Sequence, residues 1–342
     1  MTQLVYTEAE LFSEHAYAKP QIEAGYRLHG GFDAEGRYLS PRTFVRWPAV
    51  KAWQSELQRR GFSLIDASTR LLSRGSYPTV AQQKLLLDLG LGQTLWNRLT
   101  ITGVIEARGR VLADFAAPDF QSIVEEDIAA TTTGHLNKGL LKAHGFDEGG
   151  SPEKGEGGHD TMWFAVRDLL VGKDAYPMPQ VPDSIARPEL GRLMPKIPLP
   201  HEQTILMLMN VLMIEIRAEA FFSFCVEVMR SPDLFTGLRP AAEHAADLVE
   251  RIRQDEAIHV AYLQTAVSEL RSFTFRSEAG ERLPGKAFID PIWNGMVHWH
   301  SVTTLDHART QIRDANAAQL LSLPDGAKRL AAYDALEQRQ AA

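Results

Sequence analysis

The sequence predicts an all-α fold, a four-helix bundle of two long helical hairpins joined by a crossover, with an irregular N-terminal arm and extra C-terminal helices. Three observations carry this. Apolar residues recur at helical spacing through four long stretches, about 79–115, 119–143, 202–230 and 241–271. Short breaks bearing Pro or Gly, at Ala116-Ala117-Pro118 and across residues 231–240, separate the members of each pair. Between the pairs, residues 177–200 hold seven prolines and no helical period, an extended connection long enough to run from one end of a bundle to the other.

Residues 1–50 read as an arm, with turn chemistry from Gly30 to Pro41 and one strand-like piece at 37–39. A helical pattern begins near Val50 and runs to Ser73, with Gly61 as a break. Leu85, Leu86, Leu89, Leu95, Trp96, Leu99, Val104 and Ile105 give the stretch 79–115 a broad apolar face. Pro118 suits a first helical turn, so the next helix is placed at 119–143. His144 to Gly158 reads as a glycine-rich polar loop, and 160–171 as a shorter helix. After Phe275 come a Gly/Pro loop and helices at 301–321 and 327–338. The expected organisation is an arm (1–50), a bundle (51–275) and a C-terminal helical extension packed on it (276–342). Two hairpins and a crossover are the layout of a ferritin-like bundle.

Composition narrows the function. With 342 residues and 44% hydrophobic content the chain can bury a large core. The net charge is −7 and no helix gathers Lys and Arg, which argues against nucleic acid. The single cysteine, Cys225, excludes an internal disulfide framework and a thiolate zinc site, and its apolar surroundings predict a buried inert thiol. The most apolar stretch, 205–214, is too short for a membrane span, and no secretory signal is visible, so a cytoplasmic location is expected. Gly30-Gly31 and Gly157-Gly158 lack phosphate-loop context.

The chemistry-bearing pattern is Asp255-Glu256-Ala-Ile-His259. A Glu and a His three apart on a helix point the same way, one turn apart, and can grip one metal ion. Counting from a turn near Phe235, Glu215 lies at the height of Glu256, and Glu219 one turn nearer the loop, so either can be the ligand. Counting from Pro118, Glu106 and Glu126 come level in the first hairpin. Glu106 sits among Ile101, Val104, Ile105 and Val111, where a carboxylate is costly unless paired or metal-bound. Glu126, within Glu125-Glu126-Asp127, equally reads as a solvated helix start. His298, His300 and His307 read as tail packing.

The segment from Ile214 through Glu215, Arg217 and Glu219 to Ser223-Phe224, followed by Arg253-Gln254-Asp255-Glu256 and His259, resembles the second metal-binding hairpin of the ribonucleotide reductase small-subunit class, over about residues 210–265. Glu256 and His259 match that family's ligands, and Glu215 matches with a shift of one residue. The resemblance implies a Glu-x-x-His on the first hairpin too, but Ala129 stands three residues after Glu126. His135 or His159 could supply the imidazole; a straight helix would put His135 about 13 Å along the axis from Glu126. The wide spacing resembles that of haem-oxygenase-like di-iron oxidases.

The expected metal set is therefore Glu106, Glu126, His135, His159, Glu215, Glu219, Glu256 and His259, with Arg217 and Asp255 supporting it. Oxygen-rich ligation suits two iron ions, with manganese as the alternative. The implied activity is dioxygen-dependent oxidation of a small organic substrate, with an electron-donor protein and a second copy of the chain as candidate partners. The alternatives are a manganese catalase-like or iron-handling bundle, and a metal-free helical interaction protein.

Overall fold

In the computed structural model, which describes residues 5–13, 19–73, 75–189 and 191–341, the chain is mainly helical. A short helix α1 (Glu8–Leu11) precedes two antiparallel ribbons, β1 (Gln21–Glu23) with β2 (Tyr26–Leu28) and β3 (Gly31–Phe32) with β4 (Tyr38–Leu39). Helix α2 (Thr43–Arg59) follows. Next, α3 (Val80–Asp88) opens on a reciprocal cap in which Thr79 and Gln82 each take the other's backbone N–H. The single helix expected over 79–115 is broken after α3, where Gly90 adopts φ +75°, open to glycine without strain. The chain resumes as α4 (Gln93–Gly109) and a 3-10 turn, Arg110–Asp114.

The helix expected over 119–143 does not form. Asp119 and Asp127 cap the N–H groups of Gln121 and Ala129, and such local bonds compete with a helical ladder. Residues 123–125 instead run beside β5 (Thr274–Arg276), where Glu125 N–H donates to Thr274 C=O at 3.0 Å and Arg276 N–H to Ile123 C=O at 2.8 Å. A 3-10 turn (Thr133–His135) and a π-turn (Leu136–Leu140) lead into α5 (Leu141–Gly149), which occupies the start of the stretch read as a loop. Glycine there serves close packing: a Cβ on Gly145 would lie 2.4 Å from the backbone N of Ala113. Then come α6 (His159–Leu170), a non-helical connection through the prolines, and the hairpin of α7 (Leu199–Arg230) with α8 (Arg239–Ser272). Ion pairs Arg253–Glu219 (2.5 Å) and Arg230–Asp247 (3.0 Å) set this hairpin's antiparallel register.

The region after β5 also differs from expectation. Strand β6 (Arg282–Pro284) pairs with β5, and the Gly/Pro-rich segment forms helix α9 (Gly285–His298) despite Pro291. It continues through a π-turn (Trp299–Thr303) into α10 (Thr304–Leu321), followed by α11 (Gly326–Ala341). Among the described residues, no helix is long and apolar enough to cross a membrane.

Helices α4, α6, α7 and α8 share one apolar layer, including Leu95, Leu99, Met162, Trp163, Phe222, Leu248 and Ile252. Each such side chain contributes about 1.5–3 kcal/mol by burial. Cys225 lies in this layer, its thiol pushed up to about 12 by burial and therefore inert. A second layer, holding Leu208, Leu212, Tyr262 and Leu263, surrounds the other end of α7 and α8. The buried polar side chains between these layers form the candidate site.

Candidate metal centre

On α8, Glu256 and His259 stand three residues apart and face the same way, and their side chains approach to 2.7 Å (Oε2 to Nδ1). On α5, His144 and Glu148 stand four apart on one face, Nε2 to Oε1 3.3 Å. Helix α6 adds His159 at its first residue, with Nδ1 2.9 Å from Glu256 Oε1 and 3.5 Å from Glu148 Oε1. Helix α7 adds Glu215, whose Oε1 is 3.2 Å from His144 Nε2, and α4 adds Glu106, hydrogen-bonded to Glu148. All seven side chains are buried. Two four-residue groups, His144/Glu148/Glu215/His259 and Glu148/His159/Glu256/His259, each bring their donor atoms within 4.8 Å of one another. Glu148 and His259 belong to both groups, so six residues could hold a metal ion at each of two adjacent positions, His259 Nδ1 serving one ion and the Glu148 carboxylate able to bridge.

The two histidines facing Glu256 are fixed from behind by aspartates. His159 Nε2 donates to Asp255 Oδ2 at 3.2 Å, and that oxygen also takes bonds from Tyr38 Oη (2.9 Å) and His29 Nε2 (3.1 Å). His259 Nε2 donates to Asp147 Oδ2 at 3.1 Å, and Asp147 is held by Arg42 and by Arg46 Nη1 at 2.6 Å. Each aspartate directly precedes a glutamate of the site and orients the histidine of the opposite helix. Such outer bonds choose the tautomer, leaving the Nδ1 lone pair for the interior. The N-terminal segment is thus part of the site's support, supplying His29, Tyr38, Arg42 and Arg46. His144 turns Nδ1 to the Tyr262 hydroxyl (2.6 Å) and stacks on His259 with ring centroids 3.7 Å apart.

Charge and unpaired atoms test whether a cation fits. Among the described residues, Glu148 Oε1, His159 Nδ1 and Glu256 Oε1 are buried, and the contacts of 2.9 and 3.5 Å that His159 Nδ1 makes to the two oxygens lack the direction of a hydrogen bond. Converging lone pairs repel unless a proton or metal lies between them. The cluster gathers six carboxylates (Glu106, Asp147, Glu148, Glu215, Asp255, Glu256) and two guanidiniums, Arg42 and Arg46, both on Asp147, leaving four unbalanced negative charges, the charge of two divalent cations. Without metal, protons take that place. Burial and the neighbouring Glu148 and Glu256 hold Glu106 well above the usual carboxylate range, and burial with Glu256 and Glu148 does the same to Glu215. Burial would depress His159 and His259, but the carboxylates around them, Glu256 first, hold both well above the ordinary histidine value. Glu256 falls to about 2, because His259 and His159 outweigh burial and Glu148. The donor set is oxygen and imidazole nitrogen with no thiolate, which suits a hard or borderline divalent ion.

Of the residues singled out in the sequence, the structure brings together Glu106, His159, Glu215, Glu256 and His259. It does not bring in the other three. Glu126 accepts the Thr274 backbone N–H at 2.9 Å. His135 is buried against Tyr6 and Trp53, with Nδ1 donating to Thr131 C=O and Nε2 accepting from Tyr6 N–H, so both ring nitrogens are engaged. Burial pushes it down to about 4. Glu219 is bound to Arg253 at the surface of the α7–α8 hairpin. Arg217 bonds His300 and takes no part in the cluster, whereas Asp255 orients His159. His144, Asp147 and Glu148 were missed. Their signal was the doublet Asp147-Glu148, which duplicates Asp255-Glu256, but Gly145, Gly149 and Gly150 made the stretch read as a loop. No protein-family model, curated protein or solved structure matches this chain.

Proposed function

We propose that this chain is a ferritin-like di-iron carboxylate enzyme that uses dioxygen to oxidise or oxygenate a small organic substrate. The observation carrying the reading is the pair of four-residue donor groups, six residues in all, that share Glu148 and His259 and are set between helices in a recurring order. Di-iron bundles take one Glu from each of two helices and a Glu-x-x-His from each of the other two. Here α4 and α7 supply Glu106 and Glu215, and α8 supplies Glu256 and His259. The fourth member is split: Glu148 closes α5 and His159 opens α6, with residues 150–158 looping out between them.

Two iron ions held by these residues would supply the dioxygen chemistry. The protein's own part is more specific. Asp147 and Asp255 hold His259 and His159 with their Nδ1 atoms inward, and Glu148 spans the two donor groups. Buried Glu106 and Glu215 can shed the protons they carry without metal. The apolar layers on either side shield the cluster, and the cavity at Glu106 is its approach. An organic substrate, as opposed to peroxide alone, is favoured by a cavity of about 370 Å³ that reaches Glu106 and is lined by Ile101, Ile105, Ile214 and Phe221. That volume is in the range of small-molecule sites.

An oxygen electrode separates the readings. Protein loaded anaerobically with ferrous ion should consume dioxygen on mixing, and Glu148→Ala should abolish the uptake. Peroxide disproportionation with manganese and no dioxygen uptake with iron would assign the centre to a catalase-like protein instead.

A further inference from the structure

The cavity beside Glu106 is apolar in its walls but cationic in its charges. Besides Glu106, its charged lining among the described residues is three arginines, Arg98, Arg217 and Arg309. Arg309 is matched by Glu337. The other two are not: among the described residues, neither Arg98 nor Arg217 has a carboxylate partner. The Arg98 guanidinium lies against Phe221 (4.5 Å to the ring centroid) and Phe224 (4.7 Å), and its Nη1 is buried without a hydrogen bond. Arg217 Nη1 donates to His300 Nδ1 at 3.3 Å, while its Nε is buried and unpaired. His300 is a neutral acceptor, because its Nε2 donates to Asn210 Oδ1 at 3.2 Å, so it positions Arg217 without cancelling its charge. Guanidiniums stay charged in proteins, and burying one unmatched is costly. Two half-buried, unmatched guanidiniums in one cavity have the chemistry of an anion site.

The helices set the direction of the bound molecule. Arg98, Ile101, Thr102, Ile105 and Glu106 lie on one stripe of α4 and all line the cavity. Arg98 stands eight residues before Glu106, roughly 12 Å along the axis. The apolar stretch between them, closed opposite by Ile214, Ala218 and Phe221, suits a hydrocarbon chain or ring.

We propose that this cavity is the substrate site and that it takes an organic acid, the carboxylate held by Arg98 and Arg217 and the apolar portion laid along Ile101, Ile105 and Ile214 toward Glu106. Its role as substrate site rests on the oxidase reading above; its ability to bind a carboxylate rests on the cavity alone.

The test is calorimetric titration of the full chain, as purified, with decanoate and with decan-1-ol, alongside metal analysis of the same sample. Decanoate should bind, and more tightly than the alcohol. Arg98→Met and Arg217→Met should each weaken decanoate by roughly tenfold or more, the cost of losing a charge-assisted bond, and leave the alcohol unchanged. Unchanged far-UV circular dichroism in both variants keeps a folding failure from imitating this result. No decanoate binding, equal affinity for acid and alcohol, or equal loss of both in the variants would overturn the proposal. Decanoate bound by a protein that holds no metal would leave the carboxylate site standing and remove the oxidase reading. Metal held by a protein that ignores decanoate would do the reverse.

Discussion

His159 and His259 each spend one ring nitrogen on an aspartate and aim the other at Glu256. The aspartates are ionised because burial, which would raise them, is outweighed by Arg42 and Arg46 at Asp147 and by the His159 and His29 bonds at Asp255. Replacing either acceptor by an amide frees the imidazole to turn over, so Asp147→Asn and Asp255→Asn should each weaken metal binding about 10–100-fold. Competition against a coloured chelator measures this, and unchanged affinity in both variants would remove the assigned role. Protonation gives a second prediction at this scale. Without metal, Glu106, Glu215, His159 and His259 are held well above their ordinary values, so metal binding there competes with protons. Affinity should therefore rise with pH through the neutral range and fall as acid restores these protons. Loading at pH 7 should release protons, read by titration in buffers of differing ionisation enthalpy; release of none would contradict the charge account.

One element explains both the site's construction and its partial invisibility in the sequence. The α8 half was legible because Asp255, Glu256 and His259 sit on one uninterrupted helix, where spacing converts directly into direction. The α5–α6 half was not, because the interval between Glu148 and His159 is filled by residues 150–158 instead of by helix. A continuous helix over 119–143 then drew the search to Glu126 and His135, which local capping by Asp119 and Asp127 and pairing with β5 place elsewhere. The loop's geometry depends on glycine. Gly150 has φ +69° and ψ −161°, a region essentially restricted to glycine, and a Cβ there would lie 2.2 Å from Glu156 O. Gly150→Ala should therefore cost about 1–3 kcal/mol in stability, measured by denaturant unfolding. It should also lower metal content, because the loop delivers His159 to Glu148. Full metal retention together with unchanged stability would show that the loop does not position the histidine.

At the scale of the whole molecule, the helical class, the α7–α8 hairpin and the proline-rich connection were legible from periodicity and breakers. The support given by the N-terminal segment was not, because His29, Tyr38, Arg42 and Arg46 reach the site across long sequence separations that no local pattern records. The result is a buried cluster whose four unbalanced negative charges equal the charge of two divalent ions. That claim is tested most directly by elemental analysis of protein from iron- and manganese-replete cells, beside a Glu256→Ala/His259→Ala variant. The account predicts two transition-metal ions per chain in the wild type and their loss in the variant. A wild-type protein without metal, or a variant that keeps its full complement, would contradict it.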